Sequence, residues 1–190
     1  MASSNAGKIR EIQRLLEDLD VEVIAQSELG VSDADETGKT FAENSFLKAQ
    51  HAADATGLPS IADDSGLAVD ALDGAPGVYS ARYAGGAGDE ANNDKLLAAL
   101  EGVVDRGAAF HCVATFVDPA ASEPLVAAGE WRGEILRARQ GDGGFGYDPL
   151  FLVPDCHCSS AELSQEQKNA RSHRGQALRK LVELIKQRYA

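Results

Sequence analysis

Along this chain, stretches whose apolar residues recur at helical spacing alternate with short apolar runs of strand length, and no stretch repeats another. That alternation constrains the fold most, because helices and strands in turn along one chain bury their apolar faces most simply as helices packed on a sheet. Ile9, Ile12, Leu15, Leu16 and Leu19 keep helical spacing, with Ser4 or Asn5 as the cap, and residues 21–24 read as a short strand. Thr40 and Glu43 form a capping box ahead of a small-residue stripe, Ala42, Phe46, Ala49 and Ala53, that ends at Gly57 and Pro59. Asn44, Lys48 and His51 line up on another face of that helix. Residues 60–62 read as a buried strand that runs out at Asp63-Asp64-Ser65-Gly66, with strand character again over 67–72 before a turn at 74–77.

Leu96, Leu97 and Leu100 mark a third helix; 109–117, 125–131 and 133–139 read as strands. Four glycines make 141–149 a loop. A second capping box, Ser164 with Gln167, precedes a C-terminal amphipathic helix carried by Leu178, Leu181, Val182 and Ile185. At 190 residues, without a linker or low-complexity tract, the expectation is one α/β domain over residues 1–190, built on a mixed central sheet flanked by helices.

Charge narrows the function. Lys and Arg number 18 against 30 Asp and Glu, a net charge of −12, which disfavours binding to nucleic acid or an anionic membrane through a basic face. A polyanionic ligand therefore needs a metal or a local basic pocket. There is no apolar run long enough to span a bilayer and no basic-then-apolar leader pattern at the start, so a cytoplasmic protein is expected. Three cysteines, Cys112, Cys156 and Cys158, form no disulfide framework and suit a reducing compartment.

Four polar clusters fall where regular elements end. Residues 3–8, Ser-Ser-Asn-Ala-Gly-Lys, are either a simple N-cap or a phosphate site of backbone N–H groups with Lys8 beside them. Adjacent Asp63 and Asp64 repel unless a cation or proton is shared, which suits Mg²⁺; the alternative is an aspartate-rich turn. Asp33, Asp35 and Glu36 add a second acidic patch, or a solvated loop. Gly143-Gly144-Phe145-Gly146-Tyr147-Asp148-Pro149 places two rings and a carboxylate on a backbone a ligand can approach. Lys168 and Ser172-His173-Arg174-Gly175 offer positive charge at the last helix, or ordinary helix-start polarity. Cys156-His157-Cys158 lacks the paired halves of a zinc site and reads as surface loop, Cys112 reads as core, and Ser65 lacks the G-x-S-x-G context of a hydrolase nucleophile. Adjacent aspartates cannot face each other across a glycosidic bond, which argues against a glycoside hydrolase.

Taken in order, Ser-Asn-Ala-Gly-Lys (4–8), Glu-Thr-Gly-Lys-Thr-Phe-Ala-Glu-Asn (36–44), Ala-Asp-Asp-Ser-Gly-Leu (62–67), Gly-Ala-Pro-Gly-Val-Tyr-Ser-Ala-Arg-Tyr (74–83), Gly-Gly-Phe-Gly-Tyr-Asp-Pro (143–149) and Ser-His-Arg-Gly (172–175) closely resemble the inosine/xanthosine triphosphate pyrophosphatase family over essentially the whole chain. The resemblance implies a Mg²⁺-dependent hydrolase, acting on the purine nucleoside triphosphates ITP, dITP and XTP to give monophosphate and pyrophosphate. It implies two lobes with the active site in the cleft between them, and a homodimer. By position, Asp64 matches the catalytic carboxylate and metal ligand, with Asp35 or Glu36 as the second metal position. Ser3, Ser4, Asn5, Ala6, Gly7 and Lys8 match the triphosphate segment and Ser65 a substrate contact. Phe145, Gly146, Tyr147, Asp148, Lys168, His173 and Arg174 match base-recognition and phosphate-binding positions. Two departures stand out: the family's apolar strand before the first block has no counterpart after Met1, and Ser3-Ser4-Asn5 replaces the usual Thr-Gly-Asn. On those departures, the rival expectation is a nucleotide-binding protein without turnover.

Overall fold

The computed structural model describes residues 1–2, 6–17, 19 and 21–189, without the side chains of 6–8, 10 and 11. Five helices, α1 (Ala6–Leu15), α2 (Phe41–Thr56), α3 (Asp89–Ala99), α4 (Gln165–Arg171) and α5 (His173–Tyr189), accompany β1 (Ser60–Val69), β2 (Gly107–Val117), β3 (Leu125–Ile135), β4 (Phe151–Val153) and β5 (Cys158–Ser159). The strands form one sheet in chain order, β1-β2-β3-β4-β5. It is antiparallel where the sequence reading expects a mixed sheet. Glu134 pairs with Leu152 and Ile135 with Phe151 between β3 and β4, and Val153 with Cys158 between β4 and β5. Sequential neighbours of this kind need only return loops, whereas a parallel neighbour needs a crossover of a dozen residues or more.

The chain divides into two compact units, Met1–Asp64 with Cys112–Gly129 and Arg174–Ala190, and Ser65–His111 with Glu130–His173. In the first, consecutive strand residues serve opposite faces. Ile61, Cys112, Ala114 and Phe116 join a core with Ile12 and Leu16 of α1 and Leu178, Leu181, Val182 and Ile185 of α5. Ala62 and Val117 pack instead with Ala49 and Ala53 of α2. Alanines on that face bring helix and strand close, and the Ser45 and Thr115 hydroxyls meet there at 2.6 Å. The Thr40 and Glu43 capping box forms as expected, and Gly57 caps the far end of α2 in the left-handed region. Of the predicted stripe, Ala42 and Phe46 are exposed, and the buried face is Asn44, Ser45, Ala49, Ala52 and Ala53.

Residues 21–24 are not a strand. The Gln13 amide takes their backbone groups, donating to the Val21 carbonyl (3.1 Å) and accepting from the Val23 N–H (2.7 Å). Residues 125–131 and 133–139, read as two strands, are one strand that ends at Ile135. Ala2 donates its N–H to the Ile61 carbonyl (2.8 Å) and Gln26 donates to that of Met1 (2.9 Å), so residues 1–2 bond to β1 on one side and to residue 26 on the other.

The second unit centres on Leu67, Val69, Leu96, Leu100, Phe110, Trp131, Tyr147, Leu150 and Phe151. The Phe110 ring stands 4.6 Å from that of Phe151, and Trp131 5.2 Å from Phe151, distances at which aromatic pairs add to plain burial. Buried Arg106 donates to the carbonyls of Leu100, Ile135 and Leu136, tying the end of α3 to the end of β3.

Candidate active site

The segment Asp63-Asp64-Ser65-Gly66, expected to be where a strand runs out, lies inside the ten-residue strand β1. This changes the chemistry, because side chains alternate across a strand. Asp63 continues the Ile61 face and meets α5: the Arg174 Nε donates to its Oδ2 (3.1 Å), with the Cys112 Sγ 3.9 Å from the same oxygen. Asp64 continues the Ala62 face and meets α2: Asn44 donates Nδ2 to its Oδ2 (3.2 Å) and Lys48 donates Nζ to its Oδ1 (3.0 Å). Among the described residues the two carboxylates meet different cations, Arg174 at Asp63 and Lys48 at Asp64. Asp63 is buried and ion-paired, which leaves Asp64 as the half-buried acid.

Lys48 also donates to Glu36 Oε1 (2.9 Å), so one ammonium stands between two carboxylates from separate parts of the chain. Burial disfavours its charge, but Asp64 and the hydrogen bonds to Glu36 and Asp64 outweigh burial and hold Lys48 above the ordinary lysine range. Asp35 is exposed, and its carbonyl accepts the Thr37 N–H (3.1 Å). Between the two candidates for a second metal position, the geometry therefore brings Glu36, not Asp35, to the lysine that Asp64 uses. Gly38 makes this possible. Its N–H donates to Asn44 Oδ1 (2.8 Å), and a Cβ there would sit 2.6 Å from that oxygen, so only glycine allows the approach that holds Asn44 toward Asp64.

The second cluster gathers the aromatic loop. Asp148 is buried, and three donors converge on its carboxylate: Ser160 Oγ to Oδ1 (2.8 Å), and the Phe145 N–H (2.8 Å) and Lys168 Nζ to Oδ2. Lys168 also lies 4.5 Å from the Phe145 ring centre, in cation–π range. Gly144, at φ +77°, would put a Cβ 2.1 Å from Asp148 Oδ2, so the loop closes on its own aspartate only with glycine at this position. Phe145 is 60% exposed, whereas the Tyr147 ring is buried and its hydroxyl donates to the Ser80 carbonyl (2.8 Å). Burial first, then the charges of Tyr83 and Asp89, push the Tyr147 phenol well above its ordinary range. Of the two rings, Phe145 is the one a base can stack on.

The remaining predicted positions scatter. His173 stacks on Phe110 at 4.9 Å and Arg174 pairs with Asp63. Ser65 follows Asp64 in β1. Ala6, Gly7 and Lys8 open α1, while Ser3, Ser4 and Asn5 and the Lys8 side chain lie outside the described residues. Cys112 is in the core as expected, and Cys156 is exposed. Sequence reasoning left Asn44, Lys48, Ser80 and Ser160 out of the site. The first two carried a signal, the i, i+4 alignment on α2, but the two serines resemble many others in the sequence.

In the first unit an acid is held by an amide and a lysine that carries a second carboxylate, and in the second an exposed ring stands on a glycine loop, each a feature that an enzyme handling nucleotides can use. The chain belongs to the Ham1 family, whose model matches residues 1–184. It is 55% identical over 190 residues to proteins named dITP/XTP pyrophosphatase from Pectobacterium atrosepticum and Yersinia pestis, covering 98% of this chain and 96% of each of those. Solved structures agree. A HAM1 protein from Coxiella burnetii superimposes with a TM-score of 0.92 at 49% identity, over 97% of this chain and 96% of that one. The Staphylococcus aureus Ham1 protein gives 0.92 at 46% identity, over 98% and 97%.

Proposed function

We infer that this chain hydrolyses dITP, XTP and ITP to the monophosphate and pyrophosphate, removing non-standard purine nucleotides from the pool. The observation that carries the reading is the full-length likeness to proteins named dITP/XTP pyrophosphatase, with Asp64 and Glu36 on one lysine where the chemistry requires charge.

The donor set suits Mg²⁺. Glu36 and Asp64 reach the same ammonium, so two carboxylates stand close together. That is how Mg²⁺ is commonly held, through one or two carboxylates with waters and substrate phosphates completing the shell. Asp64 and Glu36 would hold it, and bound there it would neutralise the triphosphate and acidify the attacking water.

Around that charge, Asp64 orients the water and accepts its proton as it attacks the α-phosphorus. Asn44 fixes the carboxylate rotamer, and Lys48 supplies positive charge as negative charge builds on the leaving pyrophosphate. Lys8 holds phosphate oxygens, while Arg174 neutralises the buried Asp63 behind Asp64. Phe145 stacks on the base, and backbone groups of the loop held by Asp148 and Lys168 read its edge. A 6-keto purine satisfies those groups where a 6-amino purine leaves them unpaired, worth about 1–3 kcal/mol per buried group. The protein works as a cytoplasmic homodimer in this reading.

Purified protein with Mg²⁺ and dITP, followed by ³¹P NMR, should yield dIMP and pyrophosphate. Orthophosphate with dIDP would mean a γ-phosphatase instead, and tight binding without product would mean a nucleotide-binding protein.

A further inference from the structure

The aromatic loop is gripped from outside. Gly146 lies between the exposed Phe145 and the buried Tyr147, and both of its polar backbone groups are taken by side chains of α3. Its N–H donates to Asp89 Oδ2 (2.7 Å), and its carbonyl accepts from Asn93 Nδ2 (2.9 Å). Asp89 and Asn93 are four residues apart, so they stand on one face a turn apart, matching the two groups of a single residue. The same helix holds the approach to the loop: Arg139 pairs with Asp94 (2.7 Å) and Glu90 (3.2 Å). Asn93 is almost fully buried, and among the described residues its Oδ1 has no hydrogen-bond partner. An amide kept in the interior with one end unpaired costs stability, so its presence is explained by what its other end does, which is to hold the Gly146 carbonyl.

We propose that Asp89 and Asn93 are positioning residues for purine selection, fixing Phe145 and the loop backbone at the distance at which a 6-keto base is accepted and a 6-amino base refused. This rests on the reading of 145–148 as the base-recognition loop. Neither residue touches the reacting atoms. Loosening either weakens and blurs base recognition while the chemistry at Asp64 proceeds.

The test uses Asp89→Ala, Asp89→Asn and Asn93→Leu in the full chain. Asp89→Ala loses the acceptor; Asp89→Asn keeps one. Asn93→Leu removes the donor together with the unpaired oxygen, so it loosens the loop without leaving a new buried polar atom. For Asp89→Ala and Asn93→Leu, KM for dITP should rise about tenfold with kcat within about threefold, and preference for dITP over dATP should fall about tenfold. Asp89→Asn should restore most of both. Hydrogen exchange across 141–149 should quicken in the first two variants and not in the third. A role confined to the start of α3 would lower Tm in Asp89→Ala while leaving KM and selectivity unmoved, and that result, or unchanged loop exchange, overturns the proposal. If Asn93→Leu does not fold, the Asp89 pair decides alone. A wild-type protein that releases no pyrophosphate refutes the function proposed above, while loop exchange still decides the grip.

Discussion

Lys48 with Asp64 and Lys168 with Asp148 are the same two groups in two settings. Lys48 is divided between Asp64 and Glu36, so among the described residues one ammonium serves two carboxylates. Lys168 meets an Asp148 that already accepts from Ser160 and the Phe145 N–H, and the pair is neutral. Exposure follows the same division: the Asp64 side chain is 12% exposed and that of Asp148 3%. Two carboxylates that share one lysine and stay within reach of water are open to a further ligand, while a closed pair can only hold shape. In the function proposed above, the contrast gives chemistry to the first region and geometry to the second.

The largest effect should separate the two at once. Asp64→Asn keeps size and hydrogen-bonding capacity but removes the charge, and turnover should drop by about 10³-fold or more while Tm, followed by circular dichroism, stays within a few degrees. A fall in Tm with retained activity would reverse the assignment. Next comes Lys168→Met, which leaves a buried carboxylate without its ammonium. The expected loss is about 3–5 kcal/mol, several times that of Lys48→Met, where Asp64 and Glu36 are nearer water. Equal urea midpoints for the two variants would break the comparison on the stability side.

The two regions also differ in how far they could be read from the sequence. The α2 capping box, the Gly57 stop and the C-terminal helix were legible because local chemistry decides them. The two aspartates were legible as an acid site but placed where the strand runs out, since Asp-Asp-Ser-Gly has turn composition and strand pairing overrode it. Had Ile61-Ala62 been extended at period two, the opposite orientations of Asp63 and Asp64 would have followed. Glu36 could not be chosen over Asp35 by spacing, because a loop carries no period and only the Lys48 contact decides. In the aromatic loop the rings and glycines were visible, but not that Tyr147 turns inward to Ser80, nor that Asp148 serves the loop through Ser160. Those contacts join residues far apart in the chain.

Alkaline pH gives the smallest effect and sharpens the contrast through one group on each side. The Tyr147 phenol is raised in the folded protein by burial and the nearby charges of Tyr83 and Asp89, so the fold keeps its proton where an unfolded tyrosine, near pH ~10, gives it up. A folded value above the unfolded one means its contribution is fully present below that pH and is lost as pH rises beyond it. Lys48, also raised once Asp64 and Glu36 overcome burial, loses its contribution in the same direction, above its unfolded value near ~10.4. Stability from urea titration should therefore decline from about pH 10 upward. Tyr147→Phe should flatten that decline at a cost of about 1 kcal/mol at neutral pH for the lost bond to the Ser80 carbonyl. Lys48→Met should flatten it too, but it alone should weaken the response of turnover to added Mg²⁺. A Tyr147→Phe variant with the wild-type slope would mean that the buried ring does not report on the loop region at all.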